Sequence, residues 1–254
     1  MLHETNQKVK DNESVFNDNF ISSKISSQIL TKLISFRYDY SPNGLKIVRI
    51  DPILKYTSIL ELSLIGHNLS NIDSLSSLKK LKRINLSWNN ISDLTAFCNI
   101  PSLEEITLGH NFISTIPSSI SLLENLKILR LNGNPLSDRN IFLRLQHNLN
   151  FINLDISETS LSRDIDPLLY CTFTLPQLQI LNRNPISIEF RRMAAERYER
   201  LEILELSEQN NKLISENEQL KIKIQNLSSQ TLEIPEIKKN LKKSKKHFQL
   251  KTIN

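Results

Sequence analysis

The chain has 254 residues, 32 Lys and Arg against 27 Asp and Glu, and 39% apolar residues, enough to bury a sizeable core. Four glycines and nine prolines argue against a β-sandwich and against a dinucleotide-binding fold, since both use glycine for turns and phosphate loops. The net charge of +5 sits in residues 231–254, where seven Lys face two Glu; the remainder balances at 25 basic and 25 acidic residues.

In chain order, the opening MLHETNQKVKDNESVFNDNF is polar and lacks the apolar centre of a signal peptide. Residues 1–19 are expected to be disordered. No run approaches the roughly 18 apolar residues of a membrane span. Cys98 and Cys171 are too few for a disulfide framework. A reduced, intracellular compartment, cytoplasmic or nuclear, is therefore expected. Residues 20–58 read as an N-terminal cap or as one degenerate repeat. Ile21, Ile25, Ile29 and Leu33 suit a helix face, and Leu45, Val48, Ile50 and Ile53 in GLKIVRIDPI read as a first strand.

Residues 59–186 repeat. Leu81, Ile84, Leu86, Asn89, Ile91 and Leu94 set a pattern that recurs at Ile59, Leu62, Leu64, His67, Leu69 and Ile72. It returns at Leu103, Ile106, Leu108, Asn111, Ile113 and Ile116, then at Leu126, Leu129, Leu131, Asn134 and Leu136. A looser copy is Phe151, Leu154, Ile156, Thr159 and Leu161, and a partial one is LPQLQILNRNPI. The polar slot falls at 67, 89, 111 and 134. This near-constant step is the mark of a solenoid. In L-x-L both apolar residues lie on one face of a short strand and point inward. The Asn amides are placed to bond the unpaired backbone of neighbouring turns as a ladder, which His67 and Thr159 only partly imitate. No copy can bury its apolar face alone, so stability comes from stacking.

These motifs resemble the leucine-rich repeat proteins of the 22-residue class over about residues 45 to 200. The chain is similar to the leucine-rich repeat regulator of protein phosphatase 1 and to the A-prime protein of a spliceosomal particle. It also looks like axonemal and centrosomal proteins in which such repeats precede a coiled coil. The resemblance implies an α/β solenoid with parallel strands on its concave face and a C-terminal helix. LPQLQILNRNPISIEFRRMAAERY is similar to the cap closing such arrays, with Asn182 where Asp is usual; residues 162–174 read as an irregular insertion.

Residues 187–232 read as a capping helix running into a coiled coil. Pro185 and Ser187 can start the helix, with Phe190, Ala194, Tyr198 and Leu201 on its packed face. Leu206, Leu213, Leu220 and Leu227 then recur every seven residues, with Ile203, Asn210, Asn217 and Ile224 at the partner positions. Leu at d with two Asn at a favours a parallel homodimer through residues 203–227; a single exposed helix is the alternative. Residues 189–200 carry four Arg against three Glu, too little charge for a DNA-reading basic helix. Pro235 is expected to end the helix, leaving residues 233–254 as a basic disordered tail with Lys238, Lys239, Lys242, Lys243, Lys245 and Lys246. That tail reads as an import signal, a grip on RNA or an acidic surface, a membrane-surface contact, or a solvated end.

No catalytic constellation, phosphate loop or metal-ligand spacing is present in the sequence, so neither enzyme activity, metal nor cofactor is expected. The residues alternating with the inward leucines face the concave side. Glu61, Arg83, Asn85, Glu105, Thr107, Arg130 and Asp155, with Trp88 and His110 beside them, are the expected protein-binding positions. Trp88 reads either as a contact residue or as cover for the adjacent turn. The expected role is a non-enzymatic scaffold; the alternative is a nuclear ribonucleoprotein subunit with an RNA-contacting tail.

Overall fold

A computed structural model of the chain describes residues 35–40 and 46–251, with the side chains beyond residue 227 limited to Lys239 and Lys242. The expectations for residues 1–34 lie outside the described residues. The chain forms two compact units, residues 1–196 and 197–254.

The first unit is an α/β solenoid. Each turn contributes one three-residue strand: β1 Ser35–Arg37, β2 Glu61–Ser63, β3 Arg83–Asn85, β4 Glu105–Thr107, β5 Ile128–Arg130 and β6 Asn153–Asp155. Two-residue strands β7 Ile180–Leu181 and β8 Asn184–Pro185 follow. The strands join in sequence order into one sheet, parallel from β1 to β7. Strand centres Phe36, Leu62, Ile84, Ile106, Leu129 and Leu154 stack in register and are buried. Behind them lie continuous buried columns, among them Leu64, Leu86, Leu108, Leu131 and Ile156, and then Leu69, Ile91, Ile113, Leu136 and Leu161. Two further layers come from the returning segments: Leu75, Phe97 and Ile120, then Leu78, Ile100 and Leu123. These segments are 3-10 turns, Asp73–Ser77, Thr95–Asn99 and Ser118–Leu122. Each fully buried Leu or Ile contributes about 1.5–3 kcal/mol.

The asparagine ladder forms. Asn111 Nδ2 donates to the carbonyl of Leu86 one turn earlier (3.0 Å) and to that of Leu108 in its own turn (3.1 Å), while its Oδ1 accepts from Ile91 N–H (2.9 Å). Asn89 and Asn134 repeat this geometry. His67 accepts from Ile47 N–H at Nδ1 (3.2 Å), and its Nε2 lies 2.7 Å from the Tyr38 carbonyl, so a neutral ring protonated at Nε2 satisfies both. Thr159 bonds within its own turn, its hydroxyl donating to the Ile156 carbonyl at 2.6 Å and joining a capping box with Ser162. The Leu136 N–H, with no partner amide oxygen from the next turn, bonds instead to the Asn134 carbonyl at 2.9 Å.

Three expectations are corrected. The first strand is β1 at residues 35–37, not GLKIVRIDPI. Ile47 occupies the slot of Leu69, donating to His67 as Leu69 donates to Asn89. Asp51–Ile53 is a 3-10 turn with Pro52 at its start, so this stretch forms the return of a degenerate repeat. The insertion is not irregular: Ile165–Thr174 forms helix α2, after a shorter helix α1, Ile141–Leu145. Pro167 falls in the first turn of α2, where N–H groups have no helical partner anyway, and Leu169 and Cys171 are buried. Finally, helix α3 runs from Ile188 to Lys251 and passes through Pro235, so residues 233–251 are helical. Proline removes one backbone bond, but the leucines, lysines and glutamates on both sides are strong helix formers.

The end of the sheet is closed by a two-residue hairpin. Asn182 and Arg183 both have left-handed backbone (φ 51° and 67°), the conformation such turns need, and β8 runs antiparallel to β7. Asn182 Oδ1 accepts from Ile156 N–H at 2.9 Å, supplying the acceptor that a longer β7 would have offered. Ser187 caps α3, its Oγ accepting from Phe190 N–H (3.1 Å). Ala194 is buried, Phe190 half-buried and Leu201 exposed.

Candidate functional site

The strand face presents three columns set by the sheet register. Glu61, Arg83, Glu105 and Ile128 are Cα partners in succession, as are Ser63, Asn85, Thr107, Arg130 and Asp155. Ile65, Ser87, Gly109 and Asn132 follow two residues on. The outward direction of these side chains follows from strand alternation, and their lateral spacing lets opposite charges meet. Arg83 pairs with Glu61, and Arg130 with Glu105. Arg130 also donates to the Thr107 hydroxyl (3.3 Å). Hydrogen bonding to Glu61 raises the pKa of Arg83. Beside this row Glu104 sits between Lys82 (2.8 Å) and Lys127 (2.9 Å), and the two ammonium groups pull its carboxyl down to about 2. The face is thus a lattice of neutralised pairs, with no free cationic stripe along these columns.

Asp155 leaves the set of contact residues. It is 1% exposed. Its carboxylate accepts from the Ser157 hydroxyl (2.6 Å) and from Arg183 Nε (2.8 Å). Burial alone would push its pKa up, but Ser157 and Arg183 outweigh that and hold it below the usual value. Through Arg183 this buried aspartate ties the last strands together, and its side chain has no reach to a partner.

Trp88 and His110 lie one residue beyond the columns, on the rim where each strand turns inward. That turn needs left-handed backbone immediately before the ladder residue. Gly66 and Gly133 adopt it freely (φ 79° and 66°), whereas Trp88, His110 and Glu158 adopt it with side chains (φ 60°, 54° and 60°), at about 1–2 kcal/mol each. The Trp88 ring stacks on His110 with centroids 3.8 Å apart and planes 17° apart. The other face of His110 fits against Gly133, where a Cβ would lie 2.5 Å from Nδ1. Gly109 makes the same kind of room for the Asn132 amide. Trp88 therefore covers its neighbouring turn and still keeps 59% of its surface in solvent.

Around this stack runs a groove lined by Tyr40, Lys46, Gly66, Asn68, Trp88, Asn90, His110 and Phe112. Phe112 is 62% exposed and Tyr40 44%. Neither was singled out by the repeat. A signal for Phe112 existed: it stands directly after the ladder residue, where the other turns carry Asn68, Asn90 and Pro135. Tyr40 left no such trace, since its turn is degenerate. Arg183 was likewise missed, because its partner Asp155 lies 28 residues away.

Cys98 and Cys171 are free and buried, and burial raises both thiol pKa values. Among the described residues no group of three or more His, Cys, Asp or Glu is placed to hold a metal ion, and no helix is long and apolar enough to cross a membrane. Every described seam residue from Ile203 to Leu227 is exposed. Lys239 and Lys242 are exposed as well; the side chains of Lys238, Lys243, Lys245 and Lys246 lie outside the described ones.

One strand per turn, a parallel in-register sheet, leucine columns behind it and an asparagine ladder at its rim define a leucine-rich repeat fold. No family model matches the chain, and no curated protein matches it. Among solved structures it is similar to an internalin, InlF, of Listeria monocytogenes, at 23% identity and TM-score 0.47, covering 60% of this chain and 48% of that one. It is similar to a leucine-rich repeat protein of Leptospira interrogans, at 20% and 0.48, covering 56% and 36%. A third is the Drosophila melanogaster SNF/U2A' complex, at 20% and 0.48, covering 63% and 91%. The match thus spans about half or less of the first two proteins.

Proposed function

We propose that the chain is a non-enzymatic scaffold that captures a protein partner along its strand face and aromatic rim. The observation that carries this reading is the contrast between the two regions. The charges of the strand face, Glu61 with Arg83 and Glu105 with Arg130, neutralise one another, while Tyr40, Trp88 and Phe112 stay exposed around one groove. Exposed aromatics beside satisfied polar groups suit a protein surface, where Trp, Tyr and Arg serve as anchors. Stacked turns hold these groups in place, so capture orders little of the scaffold. Nucleic acid calls for unpaired cations along the face instead.

The finer parts of the proposal are a phosphatase-regulating or cytoskeletal role for the captured partner and a homodimer through residues 203–227. The competing reading is a ribonucleoprotein subunit whose lysines 238–246 hold RNA; the cationic run in that stretch favours it. Affinity purification with nuclease treatment separates the two. The scaffold reading expects partners that survive nuclease, and that are lost from a Trp88→Gly, Arg83→Glu, Arg130→Glu variant with unchanged circular dichroism. Partners that vanish with RNA support the ribonucleoprotein reading. Partners retained by the variant place the contact elsewhere on the protein.

A further inference from the structure

The heptad seam of α3 has no reason to stop at Leu227 once the helix is seen to run to Lys251. Carried along the unbroken backbone, the register that places Leu206, Leu213, Leu220 and Leu227 at d places Ile234, Leu241 and Phe248 at the next three d positions. Seven consecutive d positions are apolar. The a positions read Ile203, Asn210, Asn217, Ile224, Thr231, Lys238 and Lys245. Pro235 falls at e, beside the core and outside it. Within the described residues Ile203, Leu206, Leu213, Leu220 and Ile224 of this stripe are 55–67% exposed.

We infer that the occupant of this face is a second copy of the chain, joined in parallel along the whole of residues 203–248. The inference rests on the dimer proposed above and lengthens it across Pro235. The choice of a parallel pair follows from what each arrangement places in the core. In a parallel, in-register pair Asn210 meets Asn210 and Asn217 meets Asn217, each able to bond its counterpart, and Ile at a with Leu at d is the two-stranded preference. Glu216 at g faces Lys221 at the partner's e, once on each side. In an antiparallel pair over the same residues a faces d. Asn210 would then oppose Leu241, Asn217 would oppose Ile234, and Lys238 and Lys245 would oppose Leu213 and Leu206, leaving four polar groups without partners. Lys238 and Lys245 at a carry long apolar stems that can lie along the seam while the ammonium groups reach water. The seam so drawn is about 68 Å long at 1.5 Å per residue, against about 36 Å for residues 203–227 alone. It also gathers Lys238, Lys239, Lys242, Lys243, Lys245 and Lys246 of both copies at one end.

The test uses full-length chains carrying one new cysteine, Leu213→Cys or Leu241→Cys; native Cys98 and Cys171 are buried and do not compete. Mild oxidation is followed by non-reducing electrophoresis, with sedimentation equilibrium alongside. The expected result is a covalent dimer from both variants, and a dimer weakened about a hundredfold or more by Ile234→Ala, Leu241→Ala and Phe248→Ala together. Pro235→Ala tightens the dimer by restoring one helix bond. Cross-linking from Leu213→Cys alone, with no effect of the triple variant, overturns the extension and leaves the shorter dimer standing. A mixed disulfide between Leu206→Cys and Lys245→Cys chains, without like-to-like products, overturns the parallel arrangement. A monomer at all concentrations removes both the extension and the dimer.

Discussion

Replacing Asn111 by Ala takes one rung from the middle of the ladder. The amide makes three well-formed bonds, to the carbonyls of Leu86 and Leu108 and from the N–H of Ile91, all buried. Each contributes about 1 kcal/mol net, and leaving the Ile91 N–H without an acceptor costs about 1–3 kcal/mol more. The loss expected is therefore about 4–6 kcal/mol, or a fall in Tm on the order of 10 °C for a domain of this size. Thr159→Val provides the contrast, since the Thr159 hydroxyl bonds only within its own turn, to the Ile156 carbonyl and in a capping box with Ser162; its loss is about 1–2 kcal/mol. Urea unfolding followed by circular dichroism at 222 nm reads both. A loss below about 1 kcal/mol for Asn111→Ala would refute the claim that the ladder holds the turns together. So would equal losses for the two variants.

Two further outcomes follow from single side chains. Burial lowers the pKa of His67 below its ordinary value of 6.5, and its Nδ1 must stay unprotonated to accept from Ile47. The unfolded chain thus binds the proton more readily, so this stability is complete above about pH 6.5 and declines as pH falls from there toward the depressed folded value. Urea midpoints from pH 8 to 5 should show this decline, and His67→Asn should abolish that component; an unchanged slope in the variant contradicts it. Gly133→Ala meets both a left-handed backbone (φ 66°) and the His110 ring at 2.5 Å. It should cost at least about 1–2 kcal/mol and shift the fluorescence of Trp88, the one tryptophan of the chain. Native emission together with native stability would show that His110 is not held as described.

The solenoid was legible in the sequence because its cause is local and repeated. An L-x-L strand faces its inner side wherever it occurs, and a fixed step puts each strand beside the next; the columns Glu61–Arg83–Glu105 and Asn85–Thr107–Arg130 follow from register alone. The helix that follows Ser187 was legible in its apolar spacing and its capping serine. Tertiary structure decided whatever depends on residues a turn or more apart, or on competition between local and distributed preferences. The stacking of Trp88 on His110 needs two successive turns to share a left-handed rim position, with Gly133 behind. Asp155 occupies a column that reads as exposed, yet the closing hairpin brings Arg183 onto it and removes it from solvent. Tyr40 and Phe112 meet at one groove only because the degenerate first turn is stacked on the array. Pro235 illustrates the limit of a local rule: a breaker acts on one hydrogen bond, whereas a helix of 64 residues is set by the sum of its neighbours.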